Sequence, residues 1–135
     1  MLLPTDSHVA VVDGERFLLM RNRGTATEPA LELEAEPDVA DFGESGASGH
    51  HDTNAKSDAY RTQDKLDHAA GVAGWLNREV LGHRIEQLLI IADPDTLGEL
   101  RRHYHKQTEG ALLGELPKLL TGKPGPDIAK AIVAA

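Results

Sequence analysis

Three runs of this chain are apolar at nearly every position, and they constrain the fold more than any other feature. His8-Val9-Ala10-Val11-Val12 is rich in β-branched residues, Arg16 to Arg23 carries Phe17, Leu18, Leu19 and Met20, and Leu88-Leu89-Ile90-Ile91-Ala92 is uninterrupted. A strand with one wet face alternates apolar and polar residues, whereas a strand buried on both faces does not. These runs therefore predict a sheet covered on both sides, and helices are the usual cover. Between the first two runs stands Asp13-Gly14, a strong hairpin signal in which glycine tolerates positive φ. The hairpin is expected to be the central pair of the sheet.

The remaining elements follow from local pattern. Ala30 to Glu36 alternates strictly, which points Leu31, Leu33 and Ala35 to the core and the glutamates to water, with Pro37 ending the strand. The outward glutamates discourage another chain from pairing there. A helix is expected from about Arg61 to Leu81, with an apolar stripe of Leu66, Ala69, Ala70, Ala73, Leu76 and Val80, Trp75 on its flank and Gly82 as a left-handed cap. Thr96 and Glu99 form a capping box that starts a helix at Leu97, with Leu97, Leu100 and Tyr104 on its buried side. Ala111 to Leu116 reads as a last strand stopped by Pro117, and Asp127 to Ala135 as a terminal helix. The order is β-β-β, loop, α, β, α, β, α: one α/β domain over 1–135, built on a single mixed sheet of about five strands. Residues 38–59, rich in Gly, Ser and His, are expected to form a long flexible loop.

Composition narrows the functional classes. No cysteine is present, which excludes disulfides, thiolate nucleophiles and zinc-thiolate sites and favours the cytoplasm. The N-terminal residues show no signal peptide, and no stretch reaches the roughly 18 apolar residues that a bilayer demands. The net charge of −8 is uneven: residues 28–67 alone hold eleven acids against three bases, while 97–123 holds five bases against three acids. A chain so acidic makes a poor general nucleic-acid binder, but a local basic face can still touch RNA.

Several motifs, taken together and in order, resemble the bacterial host-attachment family. They are Leu3-Pro4-Thr5-Asp6, Val11-Val12-Asp13-Gly14, Arg21-Asn22-Arg23-Gly24, Ala92-Asp93-Pro94 with Thr96 to Arg101, and Gly114-Glu115-Leu116-Pro117-Lys118. The resemblance spans nearly the whole chain. It implies a fold similar to the middle domain of eukaryotic and archaeal class-I release factors and of Pelota, with a ribonuclease-H-like topology. In true release factors the loop after the third strand carries Gly-Gly-Gln, which orients the hydrolytic water. Here residues 38–59 hold Gly43, Gly46 and Gly49 but no adjacent glycines and no glutamine. Consecutive glycines let a backbone enter a narrow site in conformations other residues resist. The resemblance therefore implies a ribosome- or tRNA-associated binding domain in preference to an enzyme, with no cofactor.

The candidate residues are few. Arg101, Arg102, Lys106 and Lys118 are the RNA-facing candidates, since guanidinium forks suit phosphate oxygens, and Asn22 with Arg23 is expected to extend that patch. His50-His51-Asp52 combines imidazole with carboxylate and is the weak catalytic or metal candidate, although adjacent residues in a loop make a poor preformed site. His103 and His105, two apart on the expected helix, point about 200° apart and cannot chelate one ion. Asp6, Asp13 and Asp93 would bind magnesium if the fold gathered them at one sheet end, but a turn and a strand-to-helix junction already account for Asp13 and Asp93. No metal site is assigned on these grounds. Two alternatives stand beside the RNA-binding reading: a hydrolase, of tRNA esters or, with a metal, of phosphodiesters, working through loop 43–58, and an adaptor that influences attachment to host cells through a protein partner. The oligomeric state is left open by the sequence.

Overall fold

The structure, a computed structural model, describes residues 1–42 and 58–135, with side chains for 1–42 and 62–135. Five strands form one mixed sheet: β1 (His8–Val12), β2 (Phe17–Asn22), β3 (Leu31–Ala35), β4 (Leu88–Ala92) and β5 (Leu112–Pro117), in the order β3-β2-β1-β4-β5. β1 pairs antiparallel with β2 and parallel with β4, and β4 pairs parallel with β5. The three uninterrupted apolar runs are thus the three inner strands. All five residues of β1 and of β4 are buried. Such strands make sense only between two apolar layers, which is what the chain supplies.

One layer is made by α1 (Asp58–Leu81), α2 (Pro94–Arg101) and α3 (Lys106–Ala111), the other by α4 (Gly125–Ala134) and the residues before β1. Alternate strand residues feed the two cores. Ala10, Val12, Phe17, Leu19, Leu88 and Ile90 pack against Ala69, Val72, Ala73 and Leu76 of α1 on one face, while Val9, Val11, Leu18, Leu89 and Ile91 pack against Ile128 and Ile132 of α4 on the other. Trp75 is half-buried beside the first core and meets Phe17 edge-on, with ring centroids 5.4 Å apart. At the C-terminal side of β3, Val39 is buried, and the carbonyls of Val39 and Phe42 lie so close to α1 that a Cβ on Gly71 or Gly74 would collide with them. The expected loop 38–59 is thus seated on the helix at 38–42, α1 begins at Asp58, and 43–57 lies outside the described residues.

Several local expectations are corrected. The strict alternation of β3 is broken by a bulge, since Leu19 and Met20 oppose Ala35 and Leu33. Leu31 therefore joins the α4 face, Ala35 the α1 face, and Leu33 remains half-exposed. A bulge flips the side on which following residues point, which no alternation pattern can report. The left-handed residue after α1 is His83 (φ 61), not Gly82, and no described glycine has positive φ. In the hairpin it is Asp13 that forms the turn, its Oδ1 accepting from the N–H groups of Glu15 (2.7 Å) and Arg16 (2.6 Å). α2 starts three residues earlier than the Thr96–Glu99 box implies, because Asp93 is its cap and Pro94 occupies the first turn. That helix also stops at Arg101, so His103 and His105 lie in the junction before α3.

Candidate functional site

The parallel strands β1, β4 and β5 end on one side of the sheet, where open α/β folds form their clefts. A cleft of about 650 Å³ opens there between the hairpin turn, the first turns of α1 and the start of α2. Its polar lining is mostly carboxylate, from Asp13, Glu15, Asp93, Asp95 and Glu99, with Lys65 the basic member. Most of these acids are engaged within the fold. Asp93 Oδ2 accepts from the Thr96 N–H at 3.2 Å, and Glu99 meets His103 Nε2 at 2.9 Å. Asp13 Oδ2 accepts from the Thr121 hydroxyl at 2.6 Å, which ties the hairpin to the segment between β5 and α4. Burial pulls the Asp13 pKa up, but the Thr121 hydroxyl, the two backbone donors and nearby His68 outweigh it, so the carboxyl sits below its ordinary value.

Asp6 is not part of this cleft. It precedes β1, at the other end of the sheet, has φ 68, and pairs with Arg21 (3.6 Å) and Arg23 (3.5 Å). The gathering of Asp6, Asp13 and Asp93 does not occur, because strand direction separates Asp6 from the other two by the length of β1. Among the described residues, no group of three or more His, Asp or Glu side chains is spaced to hold a metal. His50, His51 and Asp52 lie outside the described residues.

The basic candidates divide. Arg101 closes α2, Arg102 follows it and Lys106 opens α3, so the three flank one helix–helix junction. Arg101 presents Nε and Nη2 to Glu115 Oε1 of β5 at 3.0 and 2.9 Å, and Arg102 lies 3.6 Å from Glu99. Both arginines remain mostly exposed, and cations suit the carbonyl-rich end of α2. Asn77 of α1, which the sequence pattern does not single out, fixes the corner from beneath. Its Nδ2 donates to His103 O at 2.9 Å, and its Oδ1 accepts from His105 N–H (2.9 Å) and the Thr108 hydroxyl (2.6 Å). No local signal marks one asparagine on a long helix as a brace for residues about 30 positions away.

Lys118 directly follows β5, three residues past the Glu115 that Arg101 holds. Arg23 follows β2, three strand spacings (about 14 Å) from β5, and pairs with Asp6 and Glu32. Asn22 is fully buried. Its Nδ2 donates to the carbonyls of Leu3 (2.9 Å) and Thr25 (3.2 Å), and its Oδ1 accepts from Gly24 (2.8 Å) and Ala30 (3.0 Å). That amide knots the N-terminal segment to the β2–β3 connection and has no surface to offer RNA. The expected extension of the patch through Asn22 and Arg23 does not form, since Asn22 is buried and Arg23 lies three strands from β5.

No helix among the described residues is long and apolar enough to cross a membrane. In sequence comparison no curated protein matches the chain. A family model does match, over residues 6–132, from the strand that opens the sheet to the last helix that covers it. With that span and this mixed five-stranded sheet, the chain belongs to the bacterial archaeo-eukaryotic release factor family, family 12.

Proposed function

We propose that this protein is a ribosome- or RNA-associated binding domain of the translation-factor type, and that the α2–α3 corner is the face that meets phosphate. Membership of the release-factor family over residues 6–132 is the observation that carries this reading. The corner supports it in chemical terms. Arg101, Arg102 and Lys106 are set within six residues on a junction braced by Asn77, so their side chains start from a held backbone. Braced cations lose less freedom on meeting an anion than cations on a loose loop do. The acidic cleft at the start of α2 repels polyanions and so favours one orientation of approach. The chain has no two adjacent glycines and hence no Gly-Gly-Gln, which favours binding without hydrolysis of peptidyl-tRNA.

Sedimentation of purified protein with ribosomes through a gradient tests the proposal. The wild-type chain is expected in ribosomal fractions at low salt, and the triple change Arg101→Gln, Arg102→Gln, Lys106→Gln is expected to leave them. Co-sedimentation that the triple change leaves intact would remove the corner from the interface. Absence of the wild-type chain from every ribosomal fraction would count against the whole reading.

A further inference from the structure

Apart from the acidic cleft, a pocket of about 490 Å³ opens between the C-terminal turn of α1 and the helix α3. Its floor is apolar, from Val80, Ile85 and Ala111, and its rim carries His83, Glu86, Lys106 and Gln107. Val80 and Ile85 are buried, while the four rim residues are exposed. An apolar floor with a few polar groups around it is how sites for small ring systems are built.

Two residues at this pocket are the less stable choice for their backbone. α1 closes with Arg84 N–H donating to Glu79 O (2.9 Å) and His83 N–H to Val80 O (3.0 Å), an arrangement whose left-handed residue is usually glycine. Here it is His83, with φ 61. Gly110 is the reverse case. It lies inside α3 without a positive φ, and among the described residues a Cβ there would meet nothing within 4 Å, so alanine would hold the helix better. Neither choice serves the fold, and both serve the pocket. His83 sets an imidazole on its rim, and Gly110 keeps a side chain out of its mouth. Local choices that go against the fold's own preference concentrate at functional sites.

We propose that this pocket takes one unpaired nucleobase of the RNA whose phosphates meet the α2–α3 corner, an inference that rests on that reading of the corner. Lys106 joins the two places, since it is one of the corner's cations and also stands on the pocket rim. A nucleotide held there by its phosphate has its base within reach of the pocket. Imidazole offers a flat face on which a base stacks, and the Gln107 amide and Glu86 carboxylate offer a donor and acceptors to its pairing edge. The charge of Glu86 repels a further phosphate, so the neutral ring is what enters. In a duplex that pairing edge is already taken, which restricts the occupant to an unpaired base.

Fluorescence titration at one low salt concentration, with a single-stranded RNA and an abasic strand of the same length, tests this. The abasic strand reports the corner alone and the ratio of the two affinities reports the pocket, so the two readings fail separately. The RNA is expected to bind roughly fivefold tighter or more, the worth of one stacked base. Gly110→Leu fills the mouth and is expected to abolish that preference while the abasic strand binds as before. His83→Gly is expected to reduce the preference and yet to raise the urea midpoint of the fold, a combination that a merely structural histidine would not give. Should Gly110→Leu not fold, His83→Gly decides alone. Equal affinities for the two strands overturn the pocket and leave the corner standing, as does a preference that the folded variants leave unchanged. If the wild type binds neither strand, the base falls with the corner, and co-sedimentation with ribosomes that Gly110→Leu abolishes would then give the pocket to a protein.

Discussion

Single side chains far from any proposed interface hold much of this domain in register. Asn22 is the clearest, with four hydrogen bonds of 2.8 to 3.2 Å to backbone groups spread from Leu3 to Ala30. Asn22→Leu keeps the volume but orphans two N–H groups and two carbonyls in a buried place. Each orphaned group costs about 1–3 kcal/mol, partly relieved by relaxation, so a loss of about 3 kcal/mol or more is expected from the urea midpoint. Asp13 makes a pH-dependent contribution of definite sign. Its folded pKa lies below the ordinary 3.8, so the stability it adds is present above that value and is lost as pH falls through the folded pKa. Asp13→Asn is expected to be less stable at neutral pH, yet to lose less on going from about pH 4 to more acid conditions. Thermal melts of both proteins across that range would check it. Neither role is written locally: asparagine and aspartate near turns look alike in sequence whether they face water or, like Asp13, bond a threonine 108 residues away.

At the scale of elements, the glycines of α1 and α2 serve their helices in unlike ways. Gly71 and Gly74 of α1 admit the carbonyls of Val39 and Phe42, whereas a methyl group added to Gly98 of α2 would have nothing within 4 Å of it. Gly74→Ala is therefore expected to destabilise by roughly 1–3 kcal/mol, because backbone must move to admit the methyl. Gly98→Ala is expected to stabilise by about 0.5–1 kcal/mol, because it only restricts the unfolded chain and improves helix propensity. Paired denaturation curves separate the two cases by sign. Elements were legible where burial was uniform. β1, β2 and β4 fall where the apolar runs place them, since a run of such residues has no dry place except between layers. The half-exposed elements were less legible: a bulge reorients β3, Asp93 overrides the Thr96–Glu99 box, and α3 escapes notice because six residues with one buried side chain show no period.

For the molecule as a whole, the distribution of charge matters more than its sum. A chain of net −8 is repelled by a polyanion at long range, so any binding must use a local face. If the corner neutralises about two or three phosphates, the logarithm of the RNA affinity should fall with the logarithm of salt with a slope of about −2, using the single-strand coefficient of about 0.7 per contact. The Arg101, Arg102 and Lys106 triple change to Gln should flatten that slope toward zero, as titrations at several salt concentrations would show. The sequence alone determined the class of fold: stretches with no polar face require a sheet between two layers, whatever the details around it. Tertiary structure alone decided which polar residues share a site. It buried Asn22, parted Arg23 from the arginine corner, and sent Asp6 to the other end of the sheet from Asp13 and Asp93. The physical reason is that hydrophobic periodicity reports how each residue meets water, a local property, while the partner of a charge or amide is chosen by strand order and direction across the whole chain.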